Sequence, residues 1–166
     1  IVSNYITGQG QQAYIGFTAP TNATEDYLVA WHPLNFNPLA AGLPIVKFSV
    51  LMRIVDSTNV EFDNFRWSVY NRQVDRLFSL DFDNYSNKVS YILYGTNALV
   101  ATGVSFTPGS DYTLIVTMNF AANRWSATLN NSLLATNRPI ATTGATLDLG
   151  DIDAECALRH HFDARV

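Results

Sequence analysis

Residues 112–134 read Tyr112-Thr113-Leu114-Ile115-Val116-Thr117-Met118-Asn119-Phe120-Ala121-Ala122-Asn123-Arg124-Trp125-Ser126-Ala127-Thr128-Leu129-Asn130-Asn131-Ser132-Leu133-Leu134. Tyr112, Leu114, Val116, Met118 and Phe120 recur at every second position, and so do Trp125, Ala127 and Leu129, with Arg124, Ser126 and Thr128 between them. Period two marks a half-buried strand, because successive side chains leave a strand on opposite faces. The connections Ala121-Ala122-Asn123 and Asn130-Asn131 are short and built from turn-tolerant residues. The stretch therefore predicts an antiparallel meander running from Asp111 to Leu134.

Working outward, no segment carries a convincing helical period. Strands are expected at Ala13–Phe17, Tyr27–His32, Val46–Val55, Phe65–Tyr70, Leu77–Asp83, Lys88–Tyr94, Tyr112–Phe120, Arg124–Leu129, Ser132–Leu134, Ile152–Leu158 and Phe162–Val166. Trp31–Pro44 reads as the longest loop, since Pro33, Pro38, Pro44 and Gly42 exclude a central strand. No domain boundary or repeat interrupts residues 1–166. The expected fold is a single all-β domain, a two-sheet antiparallel β-sandwich with Greek-key or jelly-roll connections.

Composition narrows the partners. Apolar residues make up 48% of the chain but charged ones only 14%, well below the usual ~25%, so Asn, Thr and Ser supply much of the surface. That balance, with only two lysines (Lys47 and Lys88), suggests a secreted, extracellular or cell-surface protein. The net charge of −4 and the lack of a basic stripe exclude a nucleic-acid binder. No apolar run is long enough for a membrane span. Cys156 is the single cysteine, on the apolar parity of its strand, and reads as a buried small hydrophobe.

The chemistry-bearing stretch is Ser79-Leu80-Asp81-Phe82-Asp83-Asn84-Tyr85-Ser86-Asn87. Alternation sends Phe78, Leu80 and Phe82 to one face and Ser79, Asp81 and Asp83 to the other. Two carboxylates on one sheet face repel unless water, a cation or donors lie between them. The run Asp81–Asn87 resembles the metal-binding strand and loop of legume-type lectins, within the concanavalin A-like lectin and glucanase superfamily of jelly rolls. The resemblance implies that Asp83 and Asn87 would bind calcium through side-chain oxygens and Tyr85 through its carbonyl, with Asp81 near a second metal. Oxygen donors of those kinds suit Ca²⁺. The family's further bridging aspartate is here Tyr91.

The same superfamily contains retaining glycosidases with three acids on one strand. The corresponding positions here are Asp81, Asp83 and Ser86, and a serine cannot protonate a leaving group. The phrases FSLDFDN, YTLIVTMNF, RWSATL and LDLGDIDA also look like laminin G-like secreted bacterial jelly-roll proteins. A second acid set, Asp151, Asp153 and Glu155, alternates with Ile152, Ala154 and Cys156 and is expected on a solvated face. Tyr70, Tyr94 and Trp31 are the exposed-aromatic candidates for a sugar platform, while Trp67 and Trp125 fall on core parity. His160-His161 has poor metal-ligand spacing.

The expected function is a non-catalytic carbohydrate-binding module for polysaccharide or glycan. Its ligand residues would be Asp81, Asp83, Tyr70, Tyr94 and Trp31, with no required cofactor beyond the implied calcium. The alternative is a structural subunit that self-assembles into a homopolymer, and a glycoside hydrolase ranks third.

Overall fold

The computed structural model describes residues 2–3, 5–15, 27–55, 63–142 and 145–158. Twelve strands run in order: β1 Val2–Ser3, β2 Gln11–Gln12, β3 Tyr27–Phe36, β4 Ile45–Arg53, β5 Asp63–Tyr70, β6 Arg76–Asp83, β7 Lys88–Leu93, β8 Val100–Ser105, β9 Asp111–Asn119, β10 Arg124–Leu129, β11 Ser132–Pro139 and β12 Leu149–Leu158. They form a six-stranded sheet, β3-β12-β5-β6-β7-β8, and a four-stranded sheet, β11-β10-β9-β4. A small pair, β1-β2, completes the set. Every described pairing is antiparallel. Among the described residues no helix is long and apolar enough to cross a membrane.

The expected meander is present as β9-β10-β11. Leu129 pairs with Ser132, leaving Asn130 and Asn131 as a two-residue loop with φ of 45° and 69°. Two successive positive φ values make the turn whose twist matches the flanking strands, and asparagine tolerates that region best after glycine. Arg124 pairs with Asn119 across the other turn, where Asn119 Oδ1 accepts from the Ala122 amide at 3.0 Å.

The core lies where the two sheets face each other. Phe78, Leu80 and Phe82 of β6 meet Leu114, Val116 and Met118 of β9 and Trp125, Ala127 and Leu129 of β10, all buried. Phe78 stacks on Trp125 with ring centroids 4.1 Å apart and planes 7° off parallel. Tyr91 meets the same indole edge-on at 5.8 Å. Trp125 is fully buried as its parity required, while Trp67 is only partly buried and packs on Phe48 with centroids 5.0 Å apart. Cys156 is buried, also as its parity required.

Three expectations change. Residues 31–36 belong to β3 rather than to a loop, because β3 is the edge strand of the sheet among the described residues and its outer side needs no amide from Pro33. β8 was not expected, since Val100-Ala101-Thr102-Gly103-Val104-Ser105 has too little apolar alternation to announce itself. In the N-terminal stretch the paired residues are Gln11–Gln12, and Ala13–Ile15 are not in a strand. Phe162–Val166 and His160-His161 lie outside the described residues.

Candidate functional site

The polar parity of the six-stranded sheet gathers the chemistry on the face turned away from the core. Its register sets three rows. Trp31 of β3 lies opposite Asp153 of β12, which lies opposite Ser68 of β5 and then Ser79 of β6. One step along are Val29, Glu155, Arg66, Asp81 and Ser90. On the other side are Pro33, Asp151 and Tyr70. β12 enters between β3 and β5, so its acids become the centre of this face.

The floor is buried and internally bonded. Arg66 donates from Nη2 and Nε to Asp81 Oδ2, at 2.7 and 3.0 Å. Ser68 Oγ and Ser79 Oγ lie 2.9 Å apart, and Ser68 Oγ donates to Glu155 Oε1 at 3.2 Å. The Tyr70 hydroxyl reaches the same Glu155 oxygen at 3.5 Å. Burial, then Glu155 and Asp153, push the Tyr70 phenol up to about 12, so it stays a neutral donor. Burial lifts the Asp81 carboxyl above its ordinary value, outweighing the downward pull of Arg66.

The rim is different. Trp31 is 63% exposed, although it sits in a strand. Asp151 and Asp153 are half-buried, and each keeps its Oδ1 shielded from solvent with no donor among the described residues. Burial first, then Asp151 and Glu155, raise the Asp153 carboxyl to about 6. Burial alone raises Asp151. This arrangement offers a flat indole beside unspent acceptors, over a floor that cannot move without breaking its own bonds.

The sequence-derived residues divide accordingly. Trp31, Tyr70 and Asp81 do share this face. Asp81, however, is 2% exposed and ion-paired to Arg66 of the neighbouring strand β5. Of Asp151, Asp153 and Glu155, expected on a solvated face, the first two are half-buried and Glu155 is buried outright. Tyr94 lies beyond β7, four strand spacings or roughly 19 Å across the sheet from β3. There it lines a separate depression with Val74, Arg76 and Asn97. Arg66, Ser68 and Ser79 were missed as partners. Their parity with Tyr70 was visible, but only sheet order could show that β12 supplies their acid.

Asp83 closes its own turn. Its Oδ1 accepts from the Tyr85 amide at 2.9 Å and its Oδ2 from the Ser86 hydroxyl at 2.6 Å, while Asn87 turns the chain with φ of 57°. Asn87 Oδ1 is buried without a protein partner. Among the described residues no three His, Cys, Asp or Glu side chains converge to hold a metal. Asp81 is thus engaged in an ion pair and Asp83 in a turn cap. The Asn84 side chain of the Asn84-Tyr85-Ser86 glycosylation triplet is buried, which leaves no room for a glycan.

A second cavity, of about 370 Å³, opens between the sheets beside β4, with walls that include Met52, Ile54, Phe65, Trp67 and Cys156.

No family model matches this sequence, and no curated protein matches it. Among solved structures, a sialidase matches with a TM-score of 0.60 at 8% identity, over 78% of this chain and 10% of its own. The chain thus spans about a tenth of that protein's length. A tetrameric galectin from the ball sponge Cinachyrella sp. matches with a TM-score of 0.46 at 11% identity, over 79% of this chain and 87% of its own. The carbohydrate-binding module CBM66 from Bacillus subtilis matches at 0.47 and 9%, over 81% and 79%. The sheet order and the likeness to the sialidase show the fold alone, a two-sheet antiparallel β-sandwich of the jelly-roll type.

Proposed function

We propose that this chain is a carbohydrate-binding module that holds a saccharide on the outer face of the six-stranded sheet. The observation that carries the reading is the exposed indole of Trp31 directly across the strand pair from Asp153. An indole stacks on the apolar C–H face of a sugar ring, and half-buried carboxylates accept from its hydroxyls. The buried floor keeps these groups in place before the ligand arrives, which lowers the entropic cost of binding. The test is a glycan panel followed by titration calorimetry. Dissociation constants on the order of 10⁻³–10⁻⁶ M are expected. The Trp31→Ala variant should lose about ten-fold or more in affinity with an unchanged thermal midpoint. A blank panel, or full affinity in that variant, would overturn the assignment.

A second reading, self-assembly, is favoured by one strand. β4 is an end strand of its sheet and pairs with β9 through nine consecutive residues without a bulge. It carries no proline and presents exposed Ile45 and Leu51. Regular, apolar edge strands invite pairing with another chain. A single monomeric species by sedimentation from micromolar to millimolar concentration would exclude it.

A further inference from the structure

We infer that the saccharide selected by this face carries a free amino group, its ammonium meeting Asp153 while its ring lies on Trp31. The inference rests on the glycan reading above and concerns only which glycan. Its ground is the charge left after the protein's own pairs are counted.

Asp151, Asp153 and Glu155 stand along β12 at intervals of about 6.7 Å, the two-residue repeat of a strand. That spacing strings charge out along a line, whereas one calcium ion needs its oxygens within about 2.6 Å of a single point. The groups facing the row are Arg66, Ser68 and Tyr70 from β5 and Val29, Trp31 and Pro33 from β3. Arg66, the one cation in that set, donates twice to Asp81. Arg76, further along, donates from Nη2 to the Thr96 carbonyl and to Asn97 Oδ1. Lys47 stands on the other sheet and Lys88 lies opposite Asp83. Glu155 receives Ser68 and Tyr70, but among the described residues Asp151 and Asp153 form no salt bridge, and the Oδ1 of each accepts no hydrogen bond.

A neutral sugar would donate hydroxyls and leave that charge in place. A uronate or other acidic sugar would add to it, which makes the row a device of exclusion as well as attraction. Directly paired side chains lie about 4.5–5.5 Å apart, so an amino substituent on a ring stacked against Trp31 comes over Asp153. The indole face attracts the same cation. Because the Asp153 carboxyl titrates at about 6, the preference belongs to neutral pH and fades below that value.

The test titrates the chain with the β-1,4-linked glucosamine trisaccharide, its fully N-acetylated counterpart and tri-lysine, at pH 7 and pH 5. The free-amine sugar should bind about ten-fold more tightly than the acetylated one at pH 7. The gap should close at pH 5 and in Asp153→Asn, with Asp151→Asn as a second variant. Equal affinity for the two sugars overturns the inference, and so does a preference that survives in both variants. Tri-lysine binding as tightly as the amino sugar overturns it too, since charge without a ring would then suffice. If neither trisaccharide binds, the inference falls. The glycan reading falls with it only if the wider panel is also blank.

Discussion

Arg66 and Asp81, directly opposite each other on β5 and β6, form a buried ion pair in which one carboxylate oxygen takes two guanidinium hydrogens. The pair is the hinge of the polar floor. It removes from circulation the acid that the sequence marks most strongly, and it places a guanidinium on the strand position opposite Glu155.

Removing one partner of such a pair strands a buried charge. Arg66→Ala should therefore destabilise the fold by about 3–5 kcal/mol in urea denaturation. The double variant Arg66→Met with Asp81→Leu should recover most of that loss, because no charge is left in the floor. A cost below about 1 kcal/mol for Arg66→Ala would show that solvent reaches Asp81 after all.

Asp153 gives a pH signature with a definite sign. Folded, its carboxyl holds a proton up to about pH 6, against an ordinary 3.8. Between those values the folded state binds more protons than the unfolded one, so this group's contribution to stability falls as pH rises through the window. Asp153→Asn should raise stability at pH 8 by on the order of 1 kcal/mol after solvent screening, or roughly 2–4 °C in Tm. At pH 4 the gain should be near zero. Melting curves of both proteins across pH 4–8 check the sign, and a gain that grows toward acid would contradict it.

Gly150 has no room for a side chain. A Cβ there would overlap the Asn71 carbonyl oxygen and carbon, well inside van der Waals contact. Asn71 organises the β5–β6 turn, with Oδ1 accepting from the Gln73 and Asp75 amides. Gly150→Ala should cost about 1–3 kcal/mol or more by overpacking. Thermal melts measure it, and an unchanged midpoint would mean that β12 slides freely past the turn.

Calcium should leave the melting midpoint unmoved at millimolar concentration. Asp83 already caps the Tyr85 amide and the Ser86 hydroxyl, and Asp81 already faces a guanidinium. A midpoint that rises and saturates with calcium would instead report binding to the native state.

The legible part of the molecule was the part whose neighbours are close in sequence. Alternation in Tyr112–Phe120 and Arg124–Leu129, with asparagines at the turns, predicts a hairpin pair whose partners lie within a few residues. The same rule placed Phe78, Leu80 and Phe82 inside and Ser79 and Asp81 outside. It could not foresee that Asp81 would be buried, because its environment comes from Arg66, and that of Arg66 from β12. Pro33 hid half of β3, since proline excludes only central strands. Trp31 was visible as an aromatic at the border of a suspected loop. Its place beside Asp153 depends on a pairing between residues more than a hundred positions apart.

That pairing also bears on how the chain is assembled. β12 is an inner strand of the six-stranded sheet, yet it follows every other described strand in chain order. On a ribosome β3 emerges early and waits for residues 149–158 before it has any described sheet neighbour, whereas β5 through β8 can close locally as they appear. The β3 segment, exposed on both faces from Val29 to Asn35, therefore stays unpaired until β12 is made. The pairing is non-local, so closing the β3–β12 edge, and with it the face proposed for the saccharide, should be a slow step of folding.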